Sequence, residues 1–363
     1  MKLLHFADLH LDAPFAWASP EAARLRRRNR REAFSRILQL ATEERCDAIL
    51  VAGDLFELDR VRPDTLEFLR SGFAEVALPV YLAPGNHDWL SSASPYNTVQ
   101  WSANVHVFTE SRLQPISLLD GLTLWGAAHR APANTPNFFA GFRPDREGIH
   151  IAVAHASERT TLPWQESGKQ PHAPFEAAEL DKAGLSHAFL GHYHVPRDAR
   201  RHTYPGNPDP LEFGELGERG AVLASVSADG SVERERRSVA VSEVHDLTVT
   251  LRGAAHSEEI GEAVEAELSR LAGFVRVTLA GEVAPSLELD LGDLRRLGGH
   301  LDGLVLRTGD LSTTYELAEI EREASVRGQF ARSTSTIEDV DLRRRVLLTG
   351  LRALEGRRDL EVA

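Results

Sequence analysis

Residues 3–10 read Leu3-Leu4-His5-Phe6-Ala7-Asp8-Leu9-His10, a mostly apolar run that leads directly into a carboxylate and an imidazole. The apolar part, residues 3–7, has the length and composition of a buried strand. Asp8 and His10 stand two residues apart, and side chains in extended backbone alternate with a period of two, so both should point to the same side. The stretch therefore predicts a strand with a polar site at its carboxyl end.

Further apolar runs of strand length follow, and an amphipathic helix is predicted over residues 21–44, between the first two. The predicted strands lie at residues 48–52, 80–83, 105–108, 122–125, 149–154, 187–190 and 221–226. Short strands that alternate with amphipathic segments are typical of an α/β fold. Several of these strands end in residues that can bind metal, which is where open α/β sheets place their sites.

The pattern changes near residue 241, where strands and helices continue with few histidines and few glycine-rich turns. We predict strands at residues 247–251, 275–279 and 301–307, and helices at residues 257–271, 315–324 and 339–355. The chain of 363 residues is long enough for more than one domain. We therefore predict an α/β domain over residues 1–240, an α+β capping domain over 241–311 and a helical segment over 312–363.

Composition excludes several classes of function. The net charge of −13 argues against attraction of nucleic acid by bulk charge, so a nucleic-acid role needs a local basic patch, bound metal or a partner. Cys46 is the only cysteine, which excludes an intramolecular disulfide and a thiolate metal cluster. No apolar run approaches the roughly 18 residues of a membrane span, and the first residues lack the core of a signal peptide. We expect a cytoplasmic protein without membrane association.

Metal-binding residue types recur at five predicted strand ends. These positions are Asp8-x-His10, Gly53-Asp54, Gly85-Asn86-His87-Asp88, His155 and Gly191-His192-x-His194. Nitrogen and oxygen ligands without sulfur suit Mn, Fe or Zn in a catalytic site better than structural zinc. The set is too large for one ion but fits two ions bridged by a carboxylate. Two ions about 3.5–4 Å apart can hold a hydroxide and clamp the oxygens of a phosphoryl displacement, so we expect phosphoester hydrolysis.

Each of these motifs also has an ordinary structural interpretation. Gly-Asp alone is usually a turn, Gly-Asn-His-Asp can be a turn with Asx capping, and a single histidine such as His155 can be a hydrogen-bonded core residue. Their joint occurrence in this order, all at strand ends, favours the functional interpretation.

The same five motifs resemble the signature of the calcineurin-like metallophosphoesterases. The longer strings Phe6-Ala7-Asp8-Leu9-His10-Leu11-Asp12 and Gly191-His192-Tyr193-His194-Val195-Pro196 resemble the SbcD-type DNA repair nucleases, most closely their YhaO branch. The resemblance covers about residues 1–240. It implies two packed sheets flanked by helices, followed by the capping domain and helical tail.

By that resemblance two Mn²⁺ ions are expected, with Fe, Zn or Mg as alternatives. One ion would be held by Asp8, His10, Asp54 and His194, and the other by Asp54, Asn86, His155 and His192, with Asp54 as the bridge. His87 would stand over the scissile phosphate as a catalytic residue, stabilising charge and helping the 3′-oxygen leave, and Asp88 would orient its ring.

The sequence departs from many nucleases of this family at Glu57, where they have a histidine that contacts the phosphate. A carboxylate there would repel a phosphodiester unless it faces metal-bound water or a basic residue. Arginines flank the predicted site: a cluster at residues 24–31 that includes Arg27 and Arg30, and Arg197 after the last histidine pair. We predict that Arg27, Arg30 and Arg197 bind phosphates. For the first cluster a solvated helix face is an equal alternative.

The resemblance also implies partners: DNA, a separate SMC-like ATPase subunit, and a location at the nucleoid. The C-terminal helices are the candidate docking surface for the ATPase, with ordinary intramolecular packing as the alternative, and a homodimer is compatible with the sequence. The sequence thus predicts a Mn-dependent DNA nuclease acting in repair, as a 3′–5′ exonuclease, an endonuclease or both. Two alternatives stay open: a phosphodiesterase or phosphatase for a nucleotide or other small phosphoester, and a non-catalytic DNA-tethering subunit.

Overall fold

The computed structural model describes residues 1–160, 171–215, 217–254, 256–284, 287, 289–313 and 315–355. The chain divides into two units, Met1–Val244 and His245–Ala363. The second unit holds both the predicted capping domain and the predicted helical segment. None of the helices in the described ranges combines the length and the apolar character that crossing a bilayer requires.

The first unit is built on two sheets. Its strands are β1 (Lys2–Phe6), β2 (Ala48–Val51), β3 (Val80–Leu82), β4 (Val105–Val107), β5 (Gln114–Leu119), β6 (Leu122–Gly126), β7 (Ile149–His155), β8 (His187–Gly191), β9 (Arg197–Asp198), β10 (His202–Tyr204), β11 (Gly220–Val226) and β12 (Val232–Ser238). Within the described residues one sheet has the order β12-β11-β1-β2-β3-β4 and the other β5-β6-β7-β8-β10-β9. Strands β1 to β4 pair in parallel, as do β6 to β8.

The two sheets pack face to face. A shared core contains Leu3 and Leu50 from the first sheet and Ile151, Val153 and Phe189 from the second, all fully buried. Helices α1 (Pro20–Glu43), α2 (Pro63–Val76), α3 (Pro95–Thr98) and α4 (Ala177–Lys182) complete the unit. The predicted architecture of two packed sheets flanked by helices is confirmed.

Helix α1 illustrates how the local sequence sets these elements. Ser19 caps it by accepting a hydrogen bond from the main-chain nitrogen of Ala22, and Pro20 takes the first turn, where no N–H is needed. Its buried face carries Phe34 and Ile37 at helical spacing, and these side chains join the core on the first sheet. The observed helix matches the predicted segment 21–44 to within one residue.

Four strands and one long helix were missed in the first unit. Strands β9 and β10 are only two and three residues long, and β5 is mostly half-buried. Strand β12 reads Val-Glu-Arg-Glu-Arg-Arg-Ser and lies at a sheet edge, where it pairs with β11. Its acidic and basic residues alternate with the period of a strand. The segment lacks the apolar residues from which strands are predicted here. The long helix that the sequence does not predict is α2, and the short helices α3 and α4 are not predicted either.

The second unit contains a smaller sheet and several helices. The sheet orders β13 (Val244–Ala254), β14 (Phe274–Val283) and β15 (Gly303–Thr313), and the helices are α5 (Ser257–Leu268), α6 (Leu291–Leu297), α7 (Leu317–Ile320), α8 (Val326–Thr334) and α9 (Val340–Leu354). Helices α5 and α6 pack on the sheet through Ile260, Val264 and Leu294. The predicted helix over residues 315–324 is wrong in length, because α7 has a single turn and α8 starts as a separate helix.

Candidate dimetal site

The predicted metal ligands lie at adjacent strand ends of the two sheets. In the first sheet, Asp8, Asp54 and Asn86 follow the parallel neighbours β1, β2 and β3. In the second sheet, His155 is the last residue of β7, and His192 and His194 follow β8. We call these residues the ligand set: Asp8, His10, Asp54, Asn86, His155, His192 and His194. Except for partly buried His194, all its members are buried.

The backbone leaves its ordinary conformation where it presents these ligands. Asp8, His10, Asp54 and His192 have φ angles of 55°, 44°, 52° and 106°. Non-glycine residues rarely adopt positive φ, and such strain concentrates at functional sites. Gly85 meets a related demand, because a Cβ there would lie 2.2 Å from Oδ1 of Asp54.

Asp54 lies at the centre of the ligand set. Its Oδ2 is 3.2 Å from Nε2 of His155 and 3.6 Å from Nε2 of His10, and Asn86 Oδ1 lies 2.9 Å from the same His155 nitrogen. The ligand atoms of Asp8, Asp54 and His155 lie within 4.8 Å of one another, and so do those of Asp8, His10 and His194. Asp8 belongs to both groups, and Asp54 adjoins His10 as well as His155. The Asp54 carboxylate thus lies near a histidine of each of these two groups.

The hydrogen bonds of the histidines fit metal ligation. Nδ1 of His155 donates to the carbonyl of Ala52 at 2.9 Å, and this holds the ring with Nε2 facing Oδ2 of Asp54 at 3.2 Å. Nδ1 of His10 bonds Glu57 at 2.7 Å, while its buried Nε2 has no hydrogen-bond partner among the described residues. A histidine ligand typically donates its outer N–H to a carbonyl or carboxylate and turns the other nitrogen to the ion. The residues present therefore fit a pair of divalent ions.

Burial and neighbouring charges shift the pKa values of the ligand set. Burial opposes ionisation of Asp54, but the neighbouring His155 and His10 hold the pKa of its carboxyl well below the usual range. Burial raises the pKa of Asp8 to about 6. Burial lowers the pKa of His155, yet the charge and hydrogen bond of Asp54 outweigh it and raise the pKa to about 9. Two carboxylates buried this close together require compensating positive charge, which protonated histidines supply and which bound divalent ions would supply in their place.

His87 lies at the rim of the ligand set with its side chain 45% exposed. Its ring packs edge-on against that of His10 at 4.7 Å, and its Nδ1 bonds Oε2 of Glu57 at 2.9 Å. Burial lowers the pKa of His87, but the hydrogen bond that its ring donates to Glu57 and the charge of Asp54 raise it to about 9. The His87 ring is thus a cation at neutral pH and is accessible to a molecule bound at the site.

The predicted role of Asp88 as the residue that orients His87 is wrong. Its buried carboxylate accepts hydrogen bonds from the main-chain nitrogens of Asp54, Leu55 and Gly85, and from the hydroxyl of Tyr96. Asp88 therefore fixes the two loops that carry the ligands, and burial raises its pKa to about 6.

Glu57 takes the orienting role instead. One carboxylate oxygen bonds the His10 ring and the other bonds the His87 ring, and these two hydrogen bonds hold the pKa of Glu57 well below its usual range although burial opposes this. The sequence-based concern that Glu57 would face the phosphate directly is answered by this geometry, because the carboxylate faces two imidazoles.

Arg30 is a correction to the predicted phosphate-binding set. Its guanidinium is fully buried and donates to main-chain carbonyls of Leu9, Asp209, Asp8 and Pro210. Burial lowers its pKa to about 10, so it remains a cation at neutral pH. Arg30 therefore braces the loop that carries Asp8 and has no surface for a substrate.

The other two predicted arginines differ in exposure and partners. Arg27 is partly exposed, and its guanidinium donates a long hydrogen bond, of 3.4 Å, to the carbonyl of Pro14. Arg197 has a side chain 19% exposed and pairs at 3.2 Å with buried Glu158. Phosphate binding by Arg27 and Arg197 stays a prediction.

Glu215 is a site residue that sequence reasoning missed. It bonds Nδ1 of His194 at 2.7 Å, and its other oxygen accepts from Asn207 and from the main-chain nitrogen of Leu211. The charge of His194 holds the pKa of Glu215 well below its usual range against the effect of burial. No local motif marks this residue, because it reaches His194 from a loop 21 positions further along the chain.

Comparison with known proteins agrees with the site. A family model described as calcineurin-like phosphoesterase matches residues 1–196. The uncharacterized metallophosphoesterase YhaO of Bacillus subtilis is 30% identical over 252 residues, which are 65% of this chain and 60% of that protein. The DNA double-strand break repair protein Mre11 of Methanopyrus kandleri is 27% identical over 303 residues, 74% of this chain and 62% of that protein. Its counterpart in Aeropyrum pernix is 26% identical over 250 residues, 64% and 59%.

The chain spans about 60% of the length of these relatives. The match to the family model covers more than half of the chain and includes every member of the ligand set, from Asp8 to His194. The resemblance predicted from the sequence is confirmed. The chain therefore belongs to the calcineurin-like phosphoesterase family, a family of hydrolases that act on phosphoester bonds.

Proposed function

We propose that the chain is a manganese-dependent DNA nuclease that hydrolyses phosphodiester bonds in DNA repair, as the nuclease subunit beside an SMC-like ATPase. The observation that carries the proposal is the grouping of Asp8, His10, Asp54, His155 and His194 into overlapping ligand clusters that share Asp8 and Asp54, with the accessible cation His87 beside them. DNA as substrate is supported by the two relatives whose names describe DNA double-strand break repair.

We assign one ion to Asp8, His10, Asp54 and His194, and the other to Asp54, Asn86, His155 and His192. When bound, the two ions supply Lewis acidity that activates water and neutralises phosphate charge. The carboxylates and the carboxamide oxygen of this donor set suit manganese, and its imidazoles suit iron and zinc as well.

Three residues outside the ligand set donate the proton and position the site: His87, Glu57 and Asp88. His87, protonated at neutral pH, donates to the phosphoryl group and gives its proton to the leaving 3′-oxygen. Glu57 keeps the His87 ring in place and sustains its charge. Asp88 holds the ligand loops at fixed spacing through three main-chain hydrogen bonds.

A second candidate is a phosphodiesterase or phosphatase for a small phosphoester. One observation favours it: the burial of Arg30 removes one of the cations expected to bind a DNA backbone. A non-catalytic tethering subunit has less support, because five members of the ligand set and His87 lie in overlapping clusters: Asp8, His10, Asp54, His155 and His194.

The SMC-like partner and a homodimer remain predictions. We assign helices α8 and α9 as the docking surface for the ATPase, where Val326, Val340 and Leu342 expose apolar side chains. Leu342→Glu should weaken association with the ATPase in a pull-down while hydrolysis of a small diester stays unchanged.

The test compares substrates under one set of conditions. Purified full-length chain is incubated with linear single-stranded DNA, linear duplex DNA, a cyclic nucleotide and bis(para-nitrophenyl) phosphate, with Mn²⁺, Mg²⁺ or chelator. Asp54→Asn removes the shared carboxylate, and His106→Asn changes an exposed imidazole on β4 as a matched control.

We expect Mn-dependent degradation of DNA that Asp54→Asn abolishes and His106→Asn preserves. Hydrolysis of the small esters with DNA left intact, even with the ATPase added, would transfer the assignment to the second candidate.

A further inference from the structure

His172 is a histidine beside the ligand set that the mechanism above does not use. Its ring centroid lies 5.2 Å from that of His192 and 6.1 Å from that of His129. The charges of His155, Asp54 and His87 all act on the ring. His172 therefore borders the same centre as His87 but next to a ligand of the other assigned ion, since His87 packs on His10.

The main chain holds His172 firmly in this position. Its N–H donates to Oγ of Ser157 at 2.8 Å, and the N–H of Ser157 donates back to the carbonyl of His172 at 2.9 Å. Ser157 is buried and lies two residues after the ligand His155. The next residue, Ala173, is fully buried with φ of 43° and donates to the carbonyl of Thr135. Such local strain in a buried loop persists where the position of a functional side chain demands it.

The nitrogens of the ring have different surroundings. Nδ1 is buried without a hydrogen-bond partner in the part of the chain that the structure describes. A buried N–H without an acceptor costs more than an unpaired lone pair, so the proton of the neutral ring belongs on Nε2. The side chain as a whole is partly exposed. The ring therefore presents an N–H donor that no described residue accepts.

We propose that His172 is a further substrate-contacting residue, whose Nε2–H donates a hydrogen bond to a phosphoryl oxygen of the bound phosphoester on the His192 side of the centre. His87 then acts on the His10 side, so the phosphoryl group is held between two imidazoles. This inference rests on the proposed phosphoester hydrolysis but is independent of whether the ester is DNA.

Two substitutions separate hydrogen bonding from packing. His172→Phe keeps an aromatic ring against His192 and His129 but removes both nitrogens, whereas His172→Asn keeps a donor and loses the ring. His106→Phe is the control, because His106 lies in the edge strand β4 and its exposed ring contacts only the rings of Tyr81 and Phe108 among the aromatic contacts of the described residues.

The measurements use Mn-loaded full-length protein. Metal content is determined by mass spectrometry, affinity for inorganic phosphate by titration calorimetry, and kcat and KM with bis(para-nitrophenyl) phosphate. We expect His172→Phe to retain two ions per chain and to lose about tenfold to a hundredfold in phosphate affinity and in kcat/KM, the range of one hydrogen bond to a charged group. His172→Asn should recover part of that loss, and His106→Phe should match the parent.

Unchanged phosphate affinity and kcat/KM in His172→Phe would overturn the proposal. Loss of metal from that variant would overturn it too, because His172 would then act by supporting the ligand His192. A parent protein that hydrolyses the diester, combined with an unaffected variant, would leave the proposed function standing and this inference refuted. A parent that cleaves no phosphoester would refute the proposed function itself.

Discussion

Replacing Arg30 by methionine should destabilise the first unit strongly. The guanidinium is buried at the inner face of α1 and makes four hydrogen bonds to main-chain carbonyls, at 2.6 Å to Leu9, 2.7 Å to Asp209, and 3.2 Å to Asp8 and Pro210. Methionine fills a similar volume but donates nothing, so the carbonyls would stay buried without this donor.

The magnitude follows from the burial. Each hydrogen bond to a charged group is worth about 1.5–3 kcal/mol, but removing one partner of a buried charged network costs about 3–5 kcal/mol in total. For a unit of 244 residues, where 1 kcal/mol shifts the melting temperature by about 2–4 °C, the expected loss is about 6–20 °C.

Arg27→Met provides the matched control three residues earlier on the same helix. Arg27 is partly exposed and has one long hydrogen bond, so its replacement should change the free energy of unfolding by less than about 0.5 kcal/mol. Urea unfolding of both variants, followed by tryptophan fluorescence, measures the difference.

The reasoning would be refuted by an Arg30→Met protein as stable as the parent whose DNA binding had become weaker and less dependent on salt. That result would mean that the guanidinium contacts phosphate in solution.

Three further predictions follow from the charged contacts. Glu57→Gln removes the carboxylate that raises the pKa of His87 to about 9. The cation is present below that pKa, so the basic limb of the kcat/KM profile should move from near pH 9 toward 6.5, and an unmoved limb would exclude the pairing. Glu215→Gln weakens the partner of the His194 ring and should lower Mn affinity about tenfold to a hundredfold in a chelator competition. Burial lowers the pKa of His5 to about 4 and of His187 to about 2. The unfolded chain binds these protons with a pKa near 6.5, so stability is full above pH 6.5. It falls below that pH by about 1.4 kcal/mol per pH unit for each imidazole, and His5→Gln should flatten this dependence in urea unfolding at pH 7.5 and 5.5.

The strand ends could be predicted because apolar runs and polar ligands are adjacent in the sequence. The run Leu3 to Ala7 followed by Asp8 indicates both a strand and the residue that the strand presents. Parallel neighbours bring their carboxyl ends to one edge, so separate local signals combine into one site. Strand β12 could not be found in this way, because at a sheet edge its charged side chains keep contact with water.

The supporting contacts of the site depend on tertiary geometry and left no local signal. Glu57 reaches His87 across 30 residues, and Glu215 reaches His194 across 21. Asp88 follows His87 in the sequence yet turns its carboxylate toward the main chain of Asp54 and Leu55. The sequence does not predict the burial of Arg30 either. The position of a charged residue along a helix does not show whether water or the core surrounds its side chain.

The most direct test of the proposed nuclease compares the parent protein with His87→Asn for two quantities: Mn²⁺ ions bound per chain and the rate of cleavage of linear DNA. The account predicts two ions in both proteins and a loss of cleavage of at least a hundredfold in the variant, because His87 acts on the phosphate and not on the metal. Loss of metal together with activity, or DNA cleavage that is equal in the two proteins, would contradict it.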